Sequence, residues 1–142
     1  MSQIFSVLAA LLAGMLGSLQ GSMNSELGKG WSLAAMIFAV SIVQSILALF
    51  WLLAHKTFSL AVFTEWKVFL AGAFGVLIMA SIAWSISKSG ALTAFTVVIF
   101  GQLLFSAISD SFGWFGVAQA GMTLSRGLGL GFVGLGILLL TR

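Results

Sequence analysis

Cysteine and proline are absent from this chain of 142 residues, and it contains a single histidine. The absence of cysteine excludes disulfides and thiolate metal sites, and one histidine cannot build a zinc site unaided. No set of nucleophile, base and metal ligands is visible, so the sequence does not support an enzyme. We therefore expect neither a cofactor nor a bound metal. Without proline, any hinge within a helix would have to be a glycine hinge.

Charge is also scarce in this chain. Charged residues make up 6% of the sequence, with six basic and three acidic side chains, whereas 61% of residues are hydrophobic and the mean hydropathy is +1.20. This composition lies far outside the soluble range and is typical of membrane proteins. The pI of about 10.0 rests on scattered side chains that form no basic patch, which argues against nucleic acid as a partner. The expected partner is the lipid bilayer.

Five apolar stretches approach the roughly 20 residues that a membrane-spanning helix needs. They predict an all-α integral membrane protein with one five-helix domain over residues 1–142 and helices at about 4–27, 31–54, 66–86, 91–109 and 124–140. The first stretch has no basic segment before it and runs past the length of a signal sequence, so we expect it to be retained. The fifth is rich in glycine and carries Arg126 near its start, which is compatible with a short helix entered from an interfacial loop.

The tryptophans test these boundaries independently of hydropathy. Tryptophan is enriched at membrane interfaces, where its ring lies among the lipid headgroups. Four of the five lie at or near predicted helix ends and the last lies in the fourth loop: Trp31, Trp51, Trp66, Trp84 and Trp114. Ordinary core tryptophans would be scattered along the spans. The tryptophan positions therefore support the five-helix assignment.

The basic residues divide evenly between the two sides of the membrane on this assignment. The N-terminal side receives Lys56, Lys67 and Arg126, and the opposite side receives Lys29, Lys88 and Arg142. Lysine and arginine in short loops set orientation, so neither orientation is preferred unless another determinant decides. If Arg126 belongs to the fifth helix, the balance is still only two against three. We expect insertion in both orientations and an antiparallel, dual-topology homodimer of ten helices.

A short series of polar side chains within the predicted spans must carry any chemistry. Unpaired polar groups in hydrocarbon cost several kcal/mol, so we expect those present to face the bundle or a wet cavity. Gln20 and Asn24 lie four residues apart on the first helix. Gln102, Ser106 and Asp110 recur at every fourth residue of the fourth helix. That spacing aligns an amide, a hydroxyl and a carboxylate on one side.

Each candidate has a structural explanation beside the functional one. Gln44, near the middle of the second helix, is more typical of an interhelical hydrogen-bond donor than of a ligand contact. Gln20 and Asn24 either complete the first helix or contact a solute. Asp110 is either an interfacial residue at a loop edge or the acceptor of a proton or cation. Glu26 is a solvated charge or, as a weaker hypothesis, a second acceptor.

Three runs of the sequence together resemble a known family. They are LGSLQGSMNSELG, GALTAFTVVIFGQLLFSAISDSFGWFG and the closing LSRGLGLGFVGLGILLL. They resemble the YdcZ family of five-helix bacterial membrane proteins, a branch of the drug/metabolite transporter superfamily. The matching positions are Gln20, Asn24, Leu27, Gly28, Gly101, Gln102, Asp110, Phe112 and Gly113. The loop after the first helix reads GKGWS and lacks the proline associated with that loop, which leaves its shape open.

The resemblance implies a bacterial cytoplasmic-membrane location, a five-helix unit equal to half of a ten-helix transporter, and export or exchange of a small metabolite or drug. The candidate transport-pathway residues are Gln20, Asn24, Gln44, Trp84, Phe100, Gln102 and Ser106, and the candidate acceptors of a coupling proton or cation are Asp110 and Glu26. Trp84 and Phe100 are expected to form an apolar wall. The alternatives are a small dual-topology ion channel, which needs no coupled acid, and a non-transporting helper subunit.

Overall fold

The computed structural model describes residues 2–55, 59–116 and 119–140, and every regular element within these ranges is helical. Five α-helices follow one another: α1 Ser2–Gly30, α2 Leu33–His55, α3 Trp66–Ser89, α4 Ala91–Phe112 and α5 Leu124–Leu140. Short 3₁₀ turns occupy Leu60–Thr64 and Trp114–Gly116 in the second and fourth connections. The predicted all-helical class and the number of helices are confirmed.

Four helices of the described ranges, α1 to α4, are long and apolar enough to cross a membrane. The fifth, α5, has 17 residues. At a rise of about 1.5 Å per residue it extends about 25 Å, against a hydrocarbon core of about 30 Å. The fifth helix is therefore shorter than the hydrocarbon core, and a full crossing by α5 would need local thinning of the bilayer.

The chain forms two compact units, Met1–Lys88 with α1, α2 and α3, and Ser89–Arg142 with α4 and α5. Within the first unit, α1 packs against α2. A Cβ atom at Gly28 would lie 3.0 Å from Leu33 Cδ2, so the absence of a side chain lets the start of α2 fold back closely on α1. Ser32 then caps α2 by accepting a hydrogen bond at Oγ from the Ala35 N–H at 3.1 Å. These contacts produce a tight α1–α2 hairpin.

The second unit is a hairpin of α4 and α5. Gly113 ends α4 in the left-handed conformation, with φ 65°, and its N–H donates to the Ser109 carbonyl. Glycine adopts this conformation without steric cost, which makes it the usual residue just after a helix. Farther along the helices, the Phe100 ring lies against Gly134, where a Cβ atom would be 3.4 Å from Phe100 Cζ. At this α4–α5 contact, a large aromatic side chain thus packs into the space left by a glycine.

The tryptophans keep the interfacial pattern. All five are exposed, and each lies in or beside the terminal part of a helix or in the Trp114–Gly116 turn. Arg126 lies in the first turn of α5, so counting it as a helix residue makes the basic balance two against three. Lys56 and Arg142, which also enter that balance, lie outside the described residues. Dual topology and the single-domain assignment remain predictions.

We predict that Gly134→Val destabilises the protein by about 1–3 kcal/mol, because its added methyl groups overpack the Phe100 ring. Thermal unfolding in detergent measures the effect. Gly134→Ala should change the midpoint little, since its Cβ falls at the edge of van der Waals contact. Gly136→Val is the matched control, because nothing lies within 4 Å of a Cβ built there. Equal losses for the two valine variants would contradict the proposed packing.

Candidate functional site

Asp110, near the C-terminal end of α4, pairs with Arg126 in the first turn of α5. Asp110 Oδ2 and Arg126 Nη1 lie 3.8 Å apart, with side chains 34% and 47% exposed. A carboxylate at a helix C-terminus and a cation at a helix N-terminus each oppose the dipole of their own helix. Pairing offsets both unfavourable placements. Because both side chains are substantially exposed, the pair is worth at most about 1 kcal/mol.

The backbone around Asp110 holds the loop that follows α4. The Ala120 N–H donates to the Asp110 carbonyl at 2.9 Å, and Arg126 Nη1 donates to the Ala120 carbonyl at 3.2 Å. Gln119 Nε2 donates to the Ser111 carbonyl at 3.0 Å. The last carbonyls of a helix have no partner within the helix, and the returning loop supplies partners for two of them. Asp110 is therefore an anchor of this loop through both its side chain and its carbonyl.

Aromatic rings complete the end of α4. The Trp114 ring stacks on Phe112 with centroids 5.5 Å apart and lies 6.3 Å from Phe105. Together with the left-handed Gly113, these contacts give a structural reason for the Asp, Phe and Gly positions of this segment. The sequence reasoning selected Asp110 but missed Arg126 as its partner. A usable signal was available, since two opposite charges flank one loop between consecutive helices.

The polar positions of α4 lie along one side of the helix, as their spacing predicts. Gln102 and Ser106 are exposed, and Asp110 is half-buried. Gln102 lies at the centre of the helix. Phe100 is half-buried against Gly134 of α5, so its packing contact is visible, whereas its role as a wall of the pathway remains a prediction.

An open groove of about 360 Å³ separates α2 from α3 in the first unit. Gln44 lines it together with Ser41 and Ser45 of α2, while Gly72 and Gly75 of α3 leave the opposite side free of bulk. Ser45 Oγ donates to the Ser41 carbonyl at 2.7 Å, but the Gln44 side chain is exposed to the groove region. The volume falls within the range of small-molecule pockets, about 300–1,000 Å³. The groove therefore places polar side chains beside the middle of α2.

The polar positions of α1 differ in their surroundings. Asn24 is buried, whereas Gln20 and Glu26 are exposed. Ser25, which the sequence reasoning did not select, is also buried, and its hydroxyl has no hydrogen-bond partner among the described residues. Trp84 of α3 lines a cavity together with Ser25. The structure therefore brings Trp84 to α1 and joins Asp110 to α5.

The candidates do not converge on a single centre within either unit. Gln44 lies in the α2–α3 groove, Trp84 lies by Ser25, and the α4 residues follow their own helix. Across residues 2–55, 59–116 and 119–140, no three histidine, aspartate or glutamate side chains are grouped so that they could hold a metal ion.

The family model described as “Putative inner membrane exporter, YdcZ” matches residues 5–139. No curated protein and no solved structure matches the chain. The matched range begins within α1 and ends within α5, so it contains every candidate residue named above.

We predict that Asp110→Asn and Arg126→Gln each lower the thermal unfolding midpoint slightly and that the double variant loses less than the sum of the two. The reason is that each single change leaves the other member unpaired. A double-mutant cycle in detergent should give a coupling energy below about 1 kcal/mol, as for other exposed pairs. A coupling near zero would mean that the 3.8 Å approach contributes nothing to stability.

Proposed function

The chain belongs to the YdcZ family of inner membrane exporters, and from this membership we propose that it is a secondary transporter of a small organic metabolite or drug that acts as an antiparallel homodimer. It is a multi-pass inner membrane protein and, at the level of class, a membrane exporter. Its family is one of exporters and not of enzymes. Three elements of the proposal go beyond what family membership implies: the class of solute, the coupling to a proton or cation, and the antiparallel dimer.

The observation that carries the proposal is the position of two amide side chains at the centres of their apolar helices. Gln44 is residue 12 of the 23 in α2, and Gln102 is residue 12 of the 22 in α4. An amide that faces lipid at this depth costs several kcal/mol, because hydrocarbon offers no hydrogen bond. Both side chains therefore require a polar neighbour. A transporter dimer supplies one as a wet pathway or as the facing protomer.

An inverted second copy is the neighbour we propose. Lys29 and Lys88 lie in the last turns of α1 and α3, and Lys67 and Arg126 lie in the first turns of α3 and α5. If all five helices span the membrane in turn, as we propose, the first two cations are on one side and the other two are on the opposite side. These four cations divide two against two, or one against two when Arg126 is counted as a helix residue, and so small a bias leaves the positive-inside rule without a preferred orientation. Equal insertion of both orientations provides the two partners that an antiparallel dimer needs.

The surface of α5 supports close approach by another helix. Gly127 and Gly131 line a shallow groove of about 420 Å³ together with Leu128, Phe132 and Leu135. Small residues four apart allow helix backbones to approach within a membrane, where packing rather than hydrophobic burial drives association. We propose that a helix of the inverted partner occupies this groove. Such packing would also shield the ends of the short α5 from lipid.

Inversion also places the polar candidates of two protomers at matching depths. Asp110 lies near the C-terminal end of α4, and Gln20 and Asn24 lie in the C-terminal half of α1. On the proposed topology these two helices run in opposite directions, so the three residues are at different depths. In an inverted partner these depths exchange, so Asp110 of one protomer is level with Gln20 and Asn24 of the other. A two-fold axis in the membrane plane relates the halves of many alternating-access transporters. We propose a pathway shared between the protomers on this axis.

Asp110 is the proposed acceptor of the coupling proton or cation. Both side chains of its ion pair with Arg126 are substantially exposed. A proton, a cation or a cationic solute can therefore compete with the guanidinium for the carboxylate. Arg126 Nη1 also donates to the Ala120 carbonyl. Binding of a proton or cation at Asp110 would release Arg126 from the ion pair and so change its contact with the loop between α4 and α5. Glu26, exposed on α1, is the second candidate acceptor.

We predict that Asp110→Asn abolishes solute uptake driven by a pH gradient in proteoliposomes, because the amide cannot take up a proton. The solute is first identified with a ligand-stabilisation screen on the purified protein. Gln102→Leu should lower uptake while leaving its dependence on the pH gradient, since it removes a polar contact and not the acid.

The matched control for this experiment is Glu65→Gln, which removes one carboxylate from an exposed position outside the α-helices. We expect its uptake to equal that of the unmodified protein. Unchanged uptake by Asp110→Asn would remove Asp110 as the acid. Single-channel currents in a planar bilayer, in place of gradient-driven accumulation, would favour an ion channel.

We predict that reporter fusions after Arg142 are active on both sides of the membrane. Two additional lysines in the SKSG segment, residues 87–90, should shift the population toward the orientation with that loop in the cytoplasm. The ratio of the two reporter activities measures the shift. A single orientation of the unmodified chain would contradict dual topology, and no response to the lysines would exclude charge as its determinant.

A further inference from the structure

A small cavity lies at the end of the first unit where α1 and α3 end and α2 begins. Its volume is about 210 Å³, and its lining includes Ser25, Lys29, Leu33, Trp84 and Lys88. It thus takes residues from all three helices of the unit. No residue of the proposed transport pathway other than Trp84 contributes to it.

Among the described residues that line the cavity, two are lysines and none is acidic, so the cavity is positively charged. Lys29 and Lys88 come from the last turns of α1 and α3. Neither forms an ion pair with a carboxylate among the described residues, where Asp110–Arg126 is the pair present. Leu33 is the first residue of α2, so the positive end of that helix dipole also lies at the cavity. These features favour a negatively charged ligand.

Ser25 supplies the second and independent observation. Its side chain is 4% exposed, and its hydroxyl lacks a hydrogen-bond partner among the described residues. A serine in a helix usually satisfies its hydroxyl on the carbonyl four residues earlier, as Ser22 does on Ser18 at 3.0 Å in this same helix. Ser25 does not, and an unsatisfied buried hydroxyl costs about 1–3 kcal/mol. The hydroxyl is therefore an unpartnered donor on a residue that lines the cavity.

The size and walls of the cavity restrict the ligand further. Its volume is below the roughly 300 Å³ at which pockets for drug-sized molecules begin, so it fits a headgroup and not an entire drug-sized solute. Leu33 and Trp84 form its apolar side. Trp84 also lies near the C-terminal end of α3, the kind of position at which tryptophan is enriched where lipid headgroups meet hydrocarbon. A compact anionic group with an apolar continuation matches both features.

We propose that this cavity binds the oxyanion of a phosphate or carboxylate group, carried by an amphiphilic molecule at the membrane interface. Lys29 and Lys88 are its counter-ions, and the Ser25 hydroxyl donates to one of its oxygens. The oxyanion comes from an anionic membrane lipid or from a soluble organic acid. Binding here does not depend on transport through the protein.

Native mass spectrometry of the purified full chain tests the proposal with two lipid probes, phosphatidylglycerol and phosphatidylcholine. We expect several-fold greater retention of phosphatidylglycerol, because its phosphate carries an uncompensated charge. Lys29→Gln with Lys88→Gln should reduce that retention to the level of phosphatidylcholine. The corresponding lysine-to-arginine variant should keep it, since the charge is preserved.

Two further variants make the test specific. Lys67→Gln removes one cation from the opposite end of α3 and should leave retention unchanged. Ser25→Ala changes no charge and cannot alter the orientation balance, yet it should lower retention of phosphatidylglycerol without lowering the unfolding temperature. Equal retention of both lipids together with no stabilisation by inorganic phosphate or glycerol phosphate would overturn the proposal, and so would equal losses for Lys67→Gln and the Lys29/Lys88 variant. So would unchanged retention by Ser25→Ala.

Thermal-shift titration with inorganic phosphate and with glycerol phosphate distinguishes the two sources of the oxyanion. Stabilisation by either soluble anion that is lost in the Lys29/Lys88 variant supports a soluble organic acid. Stabilisation by phosphatidylglycerol alone supports a lipid headgroup.

Discussion

A polar group inside a bilayer has no water to bond with, and the whole arrangement of this protein depends on that constraint. It makes the chain helical throughout its described part, because helices satisfy their own backbone. It also makes each exposed side-chain amide informative. Gln44 and Gln102 lie at the centres of α2 and α4, and Gln44 lines the open groove between α2 and α3. Both amides need a polar neighbour at that depth, and this need is the basis for proposing a wet pathway or a facing protomer.

The helix ends obey the same requirement by different means. At the end of α4, the left-handed Gly113, the returning Ala120 N–H and the Gln119 amide supply partners for terminal carbonyls. The Asp110–Arg126 pair offsets two charges that oppose their helix dipoles. In the first unit, Gly28 permits the close return of α2. The Ser25 hydroxyl is the exception, since it is buried and unpartnered in the described part of the chain. That exception is what indicates a ligand at the α1–α3 end.

Hydropathy and length were sufficient to predict five helices, because a spanning segment must be long and apolar whatever surrounds it. The positions at which the helices end were harder to predict from the sequence. The first helix continues to Gly30 and the fourth to Phe112, since a polar segment can extend a helix past the apolar run. The i, i+4 spacing placed Gln102, Ser106 and Asp110 on one side of α4, but it carried no information on partners. The pairing of Arg126 with Asp110 was not predicted, because a contact across a loop depends on how that loop folds back.

The sequence by itself determined a multi-pass helical membrane protein and its family, because composition, spacing and the motif around Asp110 are properties of the chain alone. Only the tertiary structure decided that Asp110 meets Arg126, that Phe100 fills the space beside Gly134, and that Ser25 shares a cavity with two lysines. The physical reason is that these contacts join different helices. Periodicity defines the face of one helix, whereas close packing through glycines and loop hydrogen bonds determines which faces meet.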